Sequence, residues 1–155
     1  MTRRIAVRGI IIKGNTLLAM KFRQDDDGES EHWGTPGGGL DEGESFHEGL
    51  HREMIEETGI APEIGELLFI QQYISELNGK EQLEFFYHIK NTDDYAAVDL
   101  GATSHGLLEM TRVEFVDPKV ELVKPLFLRD INLAEHVERS KNGGVYVANY
   151  LPTKE

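Results

Sequence analysis

Glu53, Glu56 and Glu57 are the residues of this chain whose type and spacing most invite chemistry. At i, i+3 and i+4 they share one face of any helix that carries them. Phe46, Leu50 and Met54 recur every fourth position, Glu44 and Ser45 supply N-terminal capping chemistry, and Gly59 stands where a C-terminal cap belongs. The pattern predicts a helix over about residues 45–58, with Phe46, Leu50 and Met54 packed inward and the carboxylates toward its last turn. That is the negative end of the helix macrodipole, where each acid costs ~0.3–1 kcal/mol and neighbouring acids repel one another. A hard divalent cation removes the conflict, because magnesium accepts carboxylate oxygens, backbone carbonyls and water. A solvated acidic helix face explains the charges alone equally well. The run Pro36-Gly37-Gly38-Gly39 just upstream lets backbone approach an ion closely and leaves carbonyls free as ligands. Arg52 either neutralises and orients the acids or pairs with Glu48, four residues earlier, on the surface.

The flanking segments must hold that helix and loop together. Residues 4–12 (RIAVRGIII) and 16–22 (TLLAMKF) are β-rich runs around Lys13-Gly14-Asn15 and read as a hairpin. Residues 24–31 form an acidic loop. Residues 66–76 and 82–90 read as strands joined through Asn78-Gly79, a strong hairpin signal. Residues 91–111 are loop-like and a short strand follows at 112–117. Pro118 then opens a helical region to about Arg139, interrupted at Pro125. Gly143 to Val147 make a final edge strand or a tail. Hairpins, a helix, more strands and a terminal helix make a mixed sheet between helices, an α/β class.

The chain has 155 residues, 39% of them hydrophobic, which predicts one domain over residues 1–155. It contains no cysteine, so disulfides, thiolate zinc sites and a cysteine nucleophile are excluded. The 28 acids against 16 bases give a net charge of −12, which opposes a long nucleic-acid footprint and favours cations. The start, MTRRIAVRGIII, superficially resembles a signal sequence, but Arg8 interrupts its apolar run and nothing approaches membrane-spanning length. The expectation is a cytoplasmic protein with no membrane partner.

Gly38, Glu44 and the run Arg52-Glu53-Met54-Ile55-Glu56-Glu57-Thr58-Gly59-Ile60 resemble the Nudix box, G-x5-E-x7-R-E-U-x-E-E-x-G-U, with every defined position filled. Seven fixed residues at ~5–10% abundance coincide by accident roughly once in 10⁸ starts. Trp33 to Gly38 also looks like the family's entry to the box. The resemblance implies an α/β/α sandwich and a hydrolase acting on a nucleoside diphosphate linked to another moiety, releasing a nucleoside monophosphate. It implies that Glu53, Glu56 and Glu57, helped by the Gly38 carbonyl, bind Mg2+, with Mn2+ as a substitute. Arg52 would hold the carboxylates and Glu44 would support the loop–helix geometry.

The first candidate for the proton-accepting group is Glu53, with Glu109 and then Glu84 as later glutamates able to take that task. Arg8, Lys21 and Arg23 are candidates for holding substrate phosphates, against a reading as strand-edge charge. Tyr73, Phe85, Phe86 and Tyr87 either stack a base or fill core. A small nucleotide is the expected partner, and a homodimer is left open. The alternative function is a catalytically silent nucleotide-binding or regulatory module on the same fold, for which loss of box acids would be expected.

Overall fold

A computed structural model describes residues 2–149. In chain order the strands are β1 (Arg3–Ile10), β2 (Ile12–Lys13), β3 (Thr16–Phe22), β4 (Gly37–Gly39), β5 (Ile64–Ile74), β6 (Glu81–Ile89), β7 (Met110–Val116) and β8 (Tyr146–Asn149). The helices are α1 (Phe46–Thr58), the short α2 (Gly106–Glu109) and α3 (Leu133–Ser140). Five strands form one mixed sheet in the order β4-β1-β6-β5-β8, in which β1–β6 and β5–β8 are parallel and β1–β4 and β5–β6 antiparallel. The order β2-β3-β7 forms a second, antiparallel sheet.

Period-2 alternation along β1 and β6 divides the interior in two. Val7, Tyr87 and Ile89 face α1 and pack with Leu50 and Met54. Ile10 and Phe86 face the other way, into a core completed by Phe127, Leu133 and Val137 from the α3 side. Along β5 the register shifts between Leu67 and Phe69, and Leu68 and Phe69, adjacent in sequence, both join the α3-side core. The mixed sheet thus lies between α1 and α3, an α/β/α sandwich as expected.

Four expectations need correction. The first β-rich run does not fold back as one hairpin. Only Ile12–Lys13 pairs with β3, across a turn with Gly14 at φ 61, while Arg3–Ile10 joins the other sheet beside β6. The break at Ile11 lets one apolar run serve two sheets.

The helical region from Pro118 to Arg139 is also shorter than its pattern suggests. Asp117 organises a turn by accepting from the Lys119 and Glu121 amides. Residues 122–124 then lie extended beside Trp33, whose N–H donates to Leu122 and whose carbonyl accepts from Lys124. Those bonds occupy backbone groups that a helix would need. Helical geometry appears only as a 3₁₀ turn at Leu126–Asp130 and in α3, capped by Asn132.

Phe46 is not fully inward. It is 37% exposed and stacks on Phe85 with ring centroids 4.3 Å apart, whereas Leu50 and Met54 are sealed. Residues 91–111 are not featureless, since they hold two 3₁₀ turns and α2.

The remaining strand expectations hold. β5 and β6 form the hairpin, with Gly79 at φ 68 in a connection where Asn78 accepts from the Lys80 amide. The strand near 112–117 is β7, and β8 is the final edge strand. Among the described residues no helix is long and apolar enough to cross a membrane.

Candidate metal and active site

Helix α1, whose last turn carries the acids, is capped at both ends. Ser45 Oγ accepts from the Glu48 amide at 3.1 Å, and Gly59 adopts a left-handed cap whose N–H donates to Ile55 at 2.9 Å. No basic residue stands in that turn. Beside it, β4 runs antiparallel to β1 with Val7 opposite Gly38. Glycine is required at one position here. Gly37 has φ 133, and a Cβ on it would lie 2.1 Å from the Val7 carbonyl oxygen. A Cβ on Gly38 would lie 2.7 Å from the Glu53 carboxyl group, so that carboxylate packs directly on the Gly38 backbone.

Arg52 gathers the acids. Its Nε and Nη2 each donate to Glu44 at 2.8 Å, a two-pronged pair. Nη2 also reaches the Gly39 carbonyl at 3.0 Å, and Nη1 bridges Glu53 Oε1 at 3.0 Å and Glu56 Oε2 at 3.3 Å. The bonds from Arg52, with one from the Asp41 amide, hold the Glu44 carboxyl down to about 2. The partner of Arg52 is therefore Glu44, at the helix entry, rather than Glu48.

Glu57 is placed differently. Its side chain turns inward to 5% exposure, and Oε2 accepts from the Gly37 amide at 3.0 Å. Burial pushes its carboxyl up to about 8, against the opposing effects of that amide and of Arg8. Burial also raises Glu53, more than Arg52 lowers it.

Among the described residues no three Asp, Glu or His side chains already converge as ligands on one point. Arg52 Nη1 stands between Glu53 and Glu56, and Glu57 is aimed at the Gly37 amide. Each of the three still has one carboxylate oxygen without a hydrogen-bond partner among the described residues. No described polar side-chain atom is both sealed and unpartnered, so those oxygens are not wholly sealed. Hard oxygen donors of net negative charge, grouped around a helix end and a glycine backbone, suit magnesium or manganese.

Glu109, at the end of α2, is exposed and near enough that its charge raises the proton affinity of both Glu53 and Glu57. Its carboxylate has no hydrogen-bond partner among the described residues, while its carbonyl accepts from the Arg23 amide at 2.8 Å. Glu84 is removed from the candidates for proton acceptor. It is 4% exposed on β6, accepts from Arg8 Nε at 2.8 Å, and is held below the usual carboxylate range by Arg8 despite its burial.

The three basic candidates are engaged to different degrees. Lys21 is buried, donates to the Ser30 and Glu31 carbonyls at 2.8 and 2.7 Å and lies over Trp33. Arg23 is exposed and donates to the Leu107 carbonyl at 3.1 Å. Arg8 donates to Glu84 and to two loop carbonyls.

Phe86 and Tyr87 are buried in the two cores and do not offer a stacking face, whereas Phe85 carries Phe46. Sequence reasoning missed Gln71 and His105, and it offered Tyr73 only as a stacking or core residue, not as a partner of Glu84. The signal for Gln71 and for that role of Tyr73 was Gln82 and Glu84, polar residues alternating into a strand otherwise rich in apolar ones. His105, whose amide donates to the Glu56 carbonyl at 3.1 Å, had none. Cavities of about 380 and 230 Å³ open elsewhere, against α3, and none of the site's carboxylates lines them.

A known protein family and known structures resemble this chain over most of its length. A family model described as the NUDIX domain matches residues 2–126. An RNA pyrophosphohydrolase of Shewanella piezotolerans (strain WP3 / JCM 13877) is 32% identical over 115 residues, covering 63% of this chain and 62% of that protein. The match therefore spans less than two thirds of the relative's length. The E. coli ORF135 protein has a TM-score of 0.62 at 22% identity, covering 92% of this chain and 94% of its own. A UDP-X diphosphatase structure has a TM-score of 0.65 at 20% identity, covering 95% of this chain and 68% of its own. These structural likenesses speak for the fold.

Proposed function

Since the chain belongs to the NUDIX domain family, we propose that it is a metal-dependent hydrolase of a pyrophosphate bond. Its substrate is a small molecule in which a nucleoside diphosphate is linked to another moiety, and a nucleoside monophosphate is released. The observation that carries this reading is the complete set of Glu53, Glu56 and Glu57 at the end of α1, with Glu53 against Gly38 and bridged to Glu56 by Arg52, and Glu57 held by the Gly37 amide.

Glu53, Glu56 and Glu57, with the Gly38 carbonyl, hold the cation, and Arg52 and Glu44 keep the helix end and loop in register. A divalent cation held there neutralises phosphate oxygens, orients the chain and lowers the pKa of water. Glu109 accepts the proton from the attacking water. Its carboxylate is exposed near Glu53 and Glu57 and unpartnered among the described residues, whereas one oxygen of Glu53 already accepts from Arg52. The remainder of catalysis is positioning and electrostatics.

A second reading, an RNA substrate, is favoured by the name of the Shewanella relative. The net charge of −12 opposes a long footprint on RNA, so contact would be confined to the chain end. A silent nucleotide-binding module is disfavoured by the intact acids. Hydrolysis in ¹⁸O-water tests the proposal: label should appear on one phosphate product only, with a nucleoside monophosphate among the products. Tight nucleotide binding without turnover of any substrate would support the silent module instead.

A further inference from the structure

Arg8 and Glu84 lie outside the Gly38–Ile60 motif, on the two adjacent parallel strands β1 and β6. Arg8 Nε donates to Glu84 Oε2 at 2.8 Å, and Arg8 Nη1 donates to the carbonyls of Gly37 at 3.1 Å and Thr35 at 3.3 Å. Glu84 is fixed in turn by β5, where Gln71 Nε2 donates to Oε1 at 3.1 Å and the Tyr73 hydroxyl also bonds to the carboxylate. On the far side of the same glycine, the Gly37 amide donates to Glu57 Oε2 at 3.0 Å. The two peptide groups flanking Gly37 are thus each held by a side chain, one by Arg8 and one by Glu57.

Burying an ion pair and its polar neighbours in a sheet gains little stability over apolar residues of the same size. It does fix direction, because Glu84 has donors from three side chains and Arg8 has carbonyls at the end of its fork. The object so directed is a glycine at φ 133, a conformation with wide freedom unless constrained.

We propose that Arg8, braced by buried Glu84, is a positioning residue: it fixes the Gly37 peptides, and through them the Gly38 backbone and the Glu57 carboxylate, without touching the substrate. This is the alternative to the expectation that Arg8 holds substrate phosphates, and it rests on the reading of the site as a metal-binding hydrolase centre. The competing role is specific, since Arg8 Nη2 has no hydrogen bond among the described residues and direct phosphate contact would use it.

The test compares wild type, Arg8→Lys, Glu84→Gln and the double variant as full chains. Magnesium is titrated without substrate, following the amide resonances of Gly37 and Gly38, and kcat and KM are then measured at saturating magnesium. Each single variant should weaken magnesium binding by about 10–100-fold, the usual effect of losing a group that orients a ligand. The double variant should be no worse than the weaker single, because both break one strut. The Gly37 and Gly38 amides should shift in the metal-free variants, kcat should fall, and KM should stay within about twofold of wild type, as expected when substrate contacts are intact.

Arg8→Lys raising KM tenfold while Glu84→Gln leaves it unchanged would overturn the proposal in favour of phosphate contact. Unmoved Gly37 and Gly38 amides with unchanged magnesium affinity would overturn it outright. Arg8→Lys retains the counter-charge of Glu84 and decides the matter alone if Glu84→Gln fails to fold. A wild type that binds magnesium but turns over no substrate defeats the hydrolase reading, while the amide and affinity comparison still judges the strut.

Discussion

Replacing Glu57 with Gln separates what this residue does for the site from what it costs the fold. Without metal, burial raises its carboxyl from 4.5 to about 8. A raised carboxyl binds its proton more tightly in the folded chain than in the unfolded one. Its contribution is therefore fully present below about pH 4.5 and is lost as pH climbs toward about 8. At pH 7 the unfolded chain has released the proton while the folded chain largely retains it. The interval from 4.5 to pH 7 is worth about 3 kcal/mol at ~1.4 kcal/mol per pH unit. Glutamine keeps the shape, can accept from the Gly37 amide, and carries no proton to release.

The metal-free variant should therefore be more stable than wild type by about 1–3 kcal/mol at pH 7, with the gain vanishing near pH 4.5 and growing to pH 8. Urea unfolding in EDTA across that range measures it. Added magnesium should then stabilise wild type by mass action and the variant much less, reversing the order. A metal-free variant clearly less stable than wild type at pH 7, or a difference that does not change with pH, would refute the reasoning.

Further outcomes are expected at other positions. Gly37→Ala places a Cβ 2.1 Å from the Val7 carbonyl oxygen at an unfavourable φ, and should cost more than about 2 kcal/mol in thermal melts and abolish activity. Phe46→Ala should cost only about 1–2 kcal/mol by the same measurement, below the ~3–5 of a sealed aromatic, because Phe46 is already 37% exposed. Glu109→Gln should lower kcat by about 10²–10⁴-fold and leave magnesium affinity within about twofold. A Glu109→Gln variant that keeps its kcat would return the role of proton acceptor to Glu53.

The parts legible in the sequence were those governed by local rules. Ser45 and Gly59 bound α1 through capping bonds that need only neighbours in the chain, so its limits and acidic face could be read directly. The Asn78-Gly79 signal likewise marked the β5–β6 connection. What escaped depended on distant partners. The division of the first β-rich run between two sheets follows from β6 pairing in parallel with β1, some 78 residues away. The helical pattern after Pro118 yielded to backbone bonds with Trp33. The inward turn of Glu57, against Arg52 gathering Glu44, Glu53 and Glu56, was invisible to helical spacing. Spacing places all three acids on one face but does not say which of them the Gly37 loop will bury.

The most direct test of the central claim is a magnesium titration of nucleoside monophosphate release, for wild type and the Glu56→Gln/Glu57→Gln double variant. The panel should hold ADP-sugars, dinucleoside polyphosphates, oxidised nucleotides and a pyrophosphate-ended RNA. Wild type should turn over at least one small substrate with a rate that saturates in magnesium and disappears in EDTA, and the double variant should show almost none at any magnesium concentration. Release that is indifferent to EDTA, or that survives in the double variant, would contradict the assignment of these carboxylates as the metal-binding centre of a pyrophosphate hydrolase.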